Sequence, residues 1–151
     1  MNAEKARIYG LSLNVHSEIT SQLQLDGGLN LTRGRVIEDQ SENRPLAHIP
    51  PLYGNVNLQY NISALSLTGA WRFNGSKDLS EFGGSADNPE FATTDGALAW
   101  NTLNLYANYA FTPFLQLSLG LENITDRHYR QFASGVSASG RNAIISLKGS
   151  F

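Results

Sequence analysis

The sequence predicts an all-β chain, an antiparallel up-and-down meander of about seven long strands that forms part of a transmembrane β-barrel. Three observations point there. Apolar and polar residues alternate with period two along most of the chain. The connections between alternating stretches are short and long in strict turn. Aromatic residues gather at the ends of apolar faces whose middles are mostly leucine.

The clearest strand sets Leu103, Leu105, Ala107 and Tyr109 against Asn104, Tyr106 and Asn108. After Thr112-Pro113-Phe114, a second strand sets Leu115, Leu117, Leu119 and Leu121 against Gln116, Ser118, Gly120 and Glu122, which makes a hairpin. Residues 8–17, with Tyr9, Leu11, Leu13 and Val15, pair in the same way with residues 22–32, with Leu23, Leu25, Leu29 and Leu31, through Glu18-Ile19-Thr20-Ser21. A further hairpin carries Leu52, Gly54, Val56, Leu58 and Tyr60, then Leu65, Leu67, Gly69, Trp71 and Phe73, around Asn61-Ile62-Ser63. The last strand bears Ala143, Ile145, Leu147, Gly149 and Phe151. Each strand is near the roughly 9–11 residues that a tilted strand needs to cross a bilayer. No helix is predicted.

Alternation alone fits a soluble β-sandwich as well as a barrel in lipid. Loop asymmetry favours the barrel: short links at 18–21, 61–63 and 112–114 face long polar loops over roughly 33–51, 75–97 and 123–140. The aromatics fall into two girdles, Tyr60, Tyr109, Phe111, Phe114 and Phe151 toward the short links and Tyr9, Trp71, Phe73 and Trp100 toward the loops. The apolar faces hold no charge within the predicted span, while the opposite faces hold Asn14, His16, Gln24, Asp26, Asn57, Arg72, Asn104, Gln116 and Lys148.

Composition narrows the function classes. Charged residues make up 16% and the net charge is −2, which leaves no basic footprint for nucleic acid. Without cysteine there is neither a disulfide framework nor a thiolate metal site. No apolar run reaches the 18 or so residues of a membrane-spanning helix. A nucleophile elbow, a His-Glu-x-x-His run and a phosphate loop are all missing from the sequence, so no enzyme is predicted.

Parity bears on completeness. Single-chain bacterial barrels have an even strand number, and an open sheet leaves edges that hydrocarbon cannot satisfy. About seven strands therefore predict that residues 1–151 are the C-terminal part of a larger barrel.

The segment Gly120-Leu121-Glu122-Asn123-Ile124-Thr125-Asp126-Arg127-His128-Tyr129-Arg130, followed by Phe132-Ala133-Ser134-Gly135-Val136, Gly140-Arg141-Asn142 and Leu147-Lys148-Gly149-Ser150-Phe151, resembles the C-terminal end of TonB-dependent receptors. Ile49-Pro50-Pro51-Leu52-Tyr53-Gly54 is similar to that family's approach to an earlier strand. Ser139 departs from the pattern, since proline often precedes the Gly-Arg pair. The resemblance implies about 22 strands around a plug, with the plug and N-terminal strands absent from this chain. It implies the outer membrane of a Gram-negative bacterium and import of a scarce nutrient of the iron-siderophore, haem or cobalamin class. Its expected partners are outer-membrane lipid, the rest of the barrel and the plug domain, the TonB complex and the barrel assembly machinery. No cofactor is implied.

Among single residues, Phe151 resembles the terminal aromatic read during barrel assembly. Asn123, Asp126, Tyr129, Gly140 and Arg141 are expected to organise the last external loop and the start of the last strand. His48, His128, Phe82 and Phe91 are candidate ligand contacts, set against the plainer readings that a loop histidine is more often solvated and that a loop phenylalanine packs the loop against its neighbours. His16 faces the expected lumen. Asp78, Glu81, Asp87, Glu90 and Asp95 match no calcium-loop spacing and read as a solvated acidic loop. Two rival readings stand beside transport: a complete small structural or adhesive barrel, which an eighth paired strand would favour, and a soluble sandwich binding module, which solubility without detergent would favour.

Overall fold

The computed structural model describes residues 5–37 and 44–150; Phe151 lies outside them. Seven strands form in chain order: β1 (Lys5–Glu18), β2 (Leu23–Ile37), β3 (Tyr53–Ile62), β4 (Leu65–Asn74), β5 (Trp100–Thr112), β6 (Leu115–Glu122) and β7 (Asn142–Gly149). Each pairs antiparallel with the next in one sheet, β1 through β7, with no crossover.

Register keeps every apolar face on the same side. Leu13 opposes Leu29, Leu25 opposes Leu58, Tyr60 opposes Leu67, Gly69 opposes Leu105, Leu105 opposes Leu121, and Leu119 opposes Ile145. A one-residue slip at any pair would have turned the following leucines to the other side. Among the described residues the register shifts once, between Ala110 and Thr112, at Phe111 next to the β5–β6 turn.

Burial is inverted relative to a water-soluble domain. Leu11 is 63% exposed, Leu105 55% and Ile145 76%, whereas Thr102 and Asn104 on the polar face are 2% and 4% exposed. Among the described residues the buried apolar side chains are few: Val36, Pro51, Ala70 and Phe82. The accessible surface is 10430 Å² for 16.5 kDa, against about 7,600 Å² for a compact soluble monomer of that mass. A sandwich would have buried the leucine face; this sheet presents it as a continuous outer wall.

The turns follow from local chemistry. Thr20 Oγ1 accepts from the backbone N–H groups of Gln22 and Leu23, and Ser63 takes positive φ between β3 and β4. The N–H of Phe114 donates to Thr112 Oγ1. The links come slightly later than alternation predicts, at 19–22 and 63–64, and β2 runs on to Ile37 through residues expected in a loop. The extension arises because Arg33, Arg35 and Ile37 find partners on β1 in Tyr9, Arg7 and Lys5, although polarity ends the leucine pattern at Leu31. The loop over 75–99 contains three single 3₁₀ turns, Leu79–Glu81, Ser85–Asp87 and Pro89–Phe91.

Trp71 and Phe73 stack at 4.4 Å at the loop end of the outer face, and Tyr109 meets Phe111 edge-on at the turn end. Trp100 departs from the predicted girdle. It opposes Asn74 and shares its parity with Thr102 and Asn104, so it belongs to the inner face.

Candidate functional site

The segments over 44–52, 75–99 and 123–141 fold against one another at the loop end of the sheet. Their centre is Asp87, fully buried. Its carboxylate accepts from the backbone N–H groups of His48 and Gly83, each at 2.7 Å, and Lys77 Nζ stands 3.8 Å away. Lys77 donates to the Ile49 carbonyl and lies over the ring of Phe132. Burial pushes the Lys77 ammonium below the usual lysine range, against the opposing pull of Asp87 and then Glu81. Gly83 is required where two segments touch, since a Cβ there would fall 2.1 Å from the Ala47 nitrogen.

This arrangement corrects the solvated reading for Asp87 alone; Asp78, Glu90 and Asp95 are exposed and Glu81 is half-buried. Glu81 pairs with Arg35 at 2.8 Å, Asp78 caps a 3₁₀ turn through the Ser80 N–H, and Asp87 is interior. Asp78, Glu81 and Asp87 serve separate tasks, and no group of three His, Cys, Asp or Glu side chains that could hold a metal ion gathers among the described residues.

The second half of the cluster rests on Asn123, which has positive φ and is 4% exposed. Its backbone N–H donates to Asn104 Oδ1, its Nδ2 donates to the carbonyls of Arg127 and Ser139, and its Oδ1 accepts from the Arg127 N–H. An amide side chain is the group that can accept and donate at once in this way. Asp126, also at positive φ, accepts from the Arg141 N–H, while Arg141 Nε donates to the Ile124 carbonyl. A Cβ on Gly140 would stand 2.8 Å from Asp126 Oδ1. Tyr129 packs on Trp100 with ring centroids 4.1 Å apart.

Between the two halves lies a cleft of about 240 Å³, whose walls include Phe91, Trp100, Arg127, His128, Tyr129 and Arg130. The indole N–H of Trp100 is buried there without a hydrogen-bond partner among the described residues. Arg130 donates to the Phe91 carbonyl and sits over the Phe91 ring. Phe91 is 46% exposed, so it can meet a ligand; Phe82 packs edge-on against Phe132 in the interior. His128 lines the cleft, while His48, at positive φ, donates its backbone N–H to Asp87 and keeps an exposed ring whose Nδ1 stands 3.9 Å from the same carboxylate. His16 lies far along β1, paired across the sheet with Asp26 at 2.6 Å.

Sequence reasoning gave Lys77 and Arg130 no role at a site, read Asp87 as solvated and placed Trp100 in the girdle. Trp100 was legible, because its even number places it opposite Leu103 and Leu105 in a strict alternation. The others depend on contacts between loops, for which no periodicity exists.

The family model for the β-barrel of TonB-dependent receptor-like proteins matches residues 1–124. The chain belongs to the TonB-dependent receptor β-barrel family. Solved structures with the same fold include the copper transporter OprC, at TM-score 0.78 and 22% identity over 97% of this chain and 24% of that one. The closed form of the ferric-catecholate import receptor Fiu from E. coli K12 matches at 0.70 and 18% over 98% and 21%. The ferripyoverdine receptor of the Pseudomonas aeruginosa outer membrane matches at 0.66 and 17% over 97% and 20%. The chain thus spans about a quarter or less of these receptors. No curated protein matches it.

Proposed function

We propose that residues 1–151 form the C-terminal wall and three external loops of an outer-membrane receptor that imports a scarce small nutrient by TonB-dependent transport, with the plug domain and upstream strands lying in the remainder of that receptor. The observation that carries this reading is the inverted sheet: seven strands in continuous register, leucine outward, amides and hydroxyls inward. Outer-membrane lipid covers the first face, and the plug and water cover the second. The edges β1 and β7 are fully exposed along their lengths and suit pairing with the rest of the barrel. Phe151 would serve assembly as the terminal aromatic.

The loop cluster supplies part of the ligand-facing surface. Phe91, His128, Arg130 and the unpartnered Trp100 N–H line one cleft, and aromatic faces beside guanidinium groups suit an anionic organic chelate of the iron-siderophore class. The test is uptake by the full-length receptor in cells deprived of other import routes. Removing residues 124–139 is expected to abolish energy-dependent uptake while the barrel still assembles; full uptake by that variant would contradict the reading.

A further inference from the structure

The tip of the last external loop is a strained turn held by its neighbour. Gln131 to Ser134 form the turn, closed by the Ser134 N–H on the Gln131 carbonyl at 3.1 Å. Its third residue, Ala133, takes φ 59°, a left-handed conformation that suits glycine or asparagine because a Cβ there crowds the backbone. Such backbone persists only where its surroundings enforce it, and here they belong to another loop. Asn88 Nδ2 donates to the Ala133 carbonyl at 2.8 Å, the Phe132 ring meets Phe82 edge-on at 5.2 Å, and Lys77 Nζ stands 4.3 Å from the centre of the same ring. The base of the loop is tied separately: Asn123 Nδ2 donates to the Ser139 carbonyl, and Asp126 accepts from the Arg141 N–H. The tip can therefore leave its socket while the two ends of the loop stay joined.

Phe132 also stands between two cavities. On one side is the external cleft of about 240 Å³; on the other, against the inner face of the sheet, is a chamber of about 530 Å³ whose walls include Asn55, Asn57, Arg72 and Asn74. Trp100, Gln131 and Phe132 border both. A pocket that encloses a small organic ligand measures about 300–1,000 Å³, so the cleft alone admits only part of one. The Trp100 indole N–H is buried at this partition without a hydrogen-bond partner among the described residues, a donor that costs free energy while the partition is shut. Strain at Ala133 and the orphaned donor of Trp100 thus oppose the closed arrangement, and the Phe132 socket and the Asn88 bond favour it.

We propose that residues 128–138 are a spring-loaded lid, latched by Phe132 between Lys77 and Phe82 and by Asn88 on Ala133, whose release merges the external cleft with the inner-wall chamber. The proposal rests on the reading of the cleft as ligand-facing, but its readout needs neither ligand nor uptake, so the two fail separately. Hydrogen exchange is followed in the purified full-length receptor at the Ser134 amide by mass spectrometry and at the Trp100 indole by NMR of receptor isotope-labelled at tryptophan, assigned through Trp100→Phe. Asn88 itself has φ 52°, so Asn88→Gly removes the side-chain donor without adding strain. It should speed both exchanges about fivefold, the net worth of one hydrogen bond. Ala133→Gly relieves the left-handed strain and should slow both about fivefold. Because it favours the closed loop, it decides the matter should Asn88→Gly fail to assemble. The Arg141 amide at the base should exchange as in the parent in both variants. Unchanged exchange at Ser134 in either variant would overturn the latch, and a Trp100 indole that does not follow Ser134 would overturn the partition. Acceleration that spreads to the Arg141 amide would mean that the whole loop unfolds, and would overturn the lid.

Discussion

Replacing Asp87 with alanine should release the external loops while leaving the barrel wall standing. The carboxylate is fully buried, accepts two backbone N–H groups at 2.7 Å and faces the Lys77 ammonium at 3.8 Å, itself 7% exposed. Its loss leaves two donors and a buried cation uncompensated. Removing one partner of a buried pair costs about 3–5 kcal/mol, which corresponds to a loop-opening constant roughly 150- to 4,000-fold larger. Hydrogen exchange on the full-length receptor should show that acceleration at the amides of residues 79–91 and 46–49, with β3 to β6 unchanged. Adding Lys77→Met should recover part of the loss, because no charge then remains buried. Exchange within threefold of the parent at residues 79–91 would refute the account of Asp87 as the tie between loops.

Other substitutions test the remaining links. Asn123→Ala removes three side-chain hydrogen bonds of about 1 kcal/mol each and places alanine at φ 47°, so limited proteolysis should cut within 124–141 at far lower protease concentration. Because burial holds the Lys77 pKa below its unfolded value of 10.5, the unfolded loop binds more protons between the two values. Loop stability should therefore rise with pH through that window, and Lys77→Met should flatten the exchange profile there. Leu119→Arg, in the middle of the outer face, should destabilise the receptor by about 2–4 kcal/mol, whereas Ser118→Arg on the inner face should cost much less in the same denaturant titration.

The strands were legible because a bilayer imposes one rule on every residue of a face, and Leu103 to Tyr109 or Leu115 to Leu121 obey it without exception. The extension of β2 was not, since Arg33 and Arg35 break the apolar pattern while their backbones continue to pair. The motif residues around Asn123 and Gly140 lie in one hydrogen-bonded loop, and the family match ends at residue 124, before most of them. Within the loops, charge count served Asp78, Glu90 and Asp95, which are exposed, but not Asp87, which lies inside because Gly83 and Ala47 let two segments close over it. Such closure depends on contacts between segments some 40 residues apart, which local pattern does not encode.

The central claim is that the leucine face meets lipid and the amide face does not. Single cysteines in place of Leu105, Leu119, Asn108 and Ser118 in the full-length receptor, spin-labelled and reconstituted into liposomes, measure this directly. The account predicts that labels at 105 and 119 relax with oxygen dissolved in the bilayer and are shielded from a water-soluble nickel chelate, and that labels at 108 and 118 show no such lipid contact. Nickel access at 105 and 119, with oxygen-dominated relaxation at 108 and 118, would contradict it.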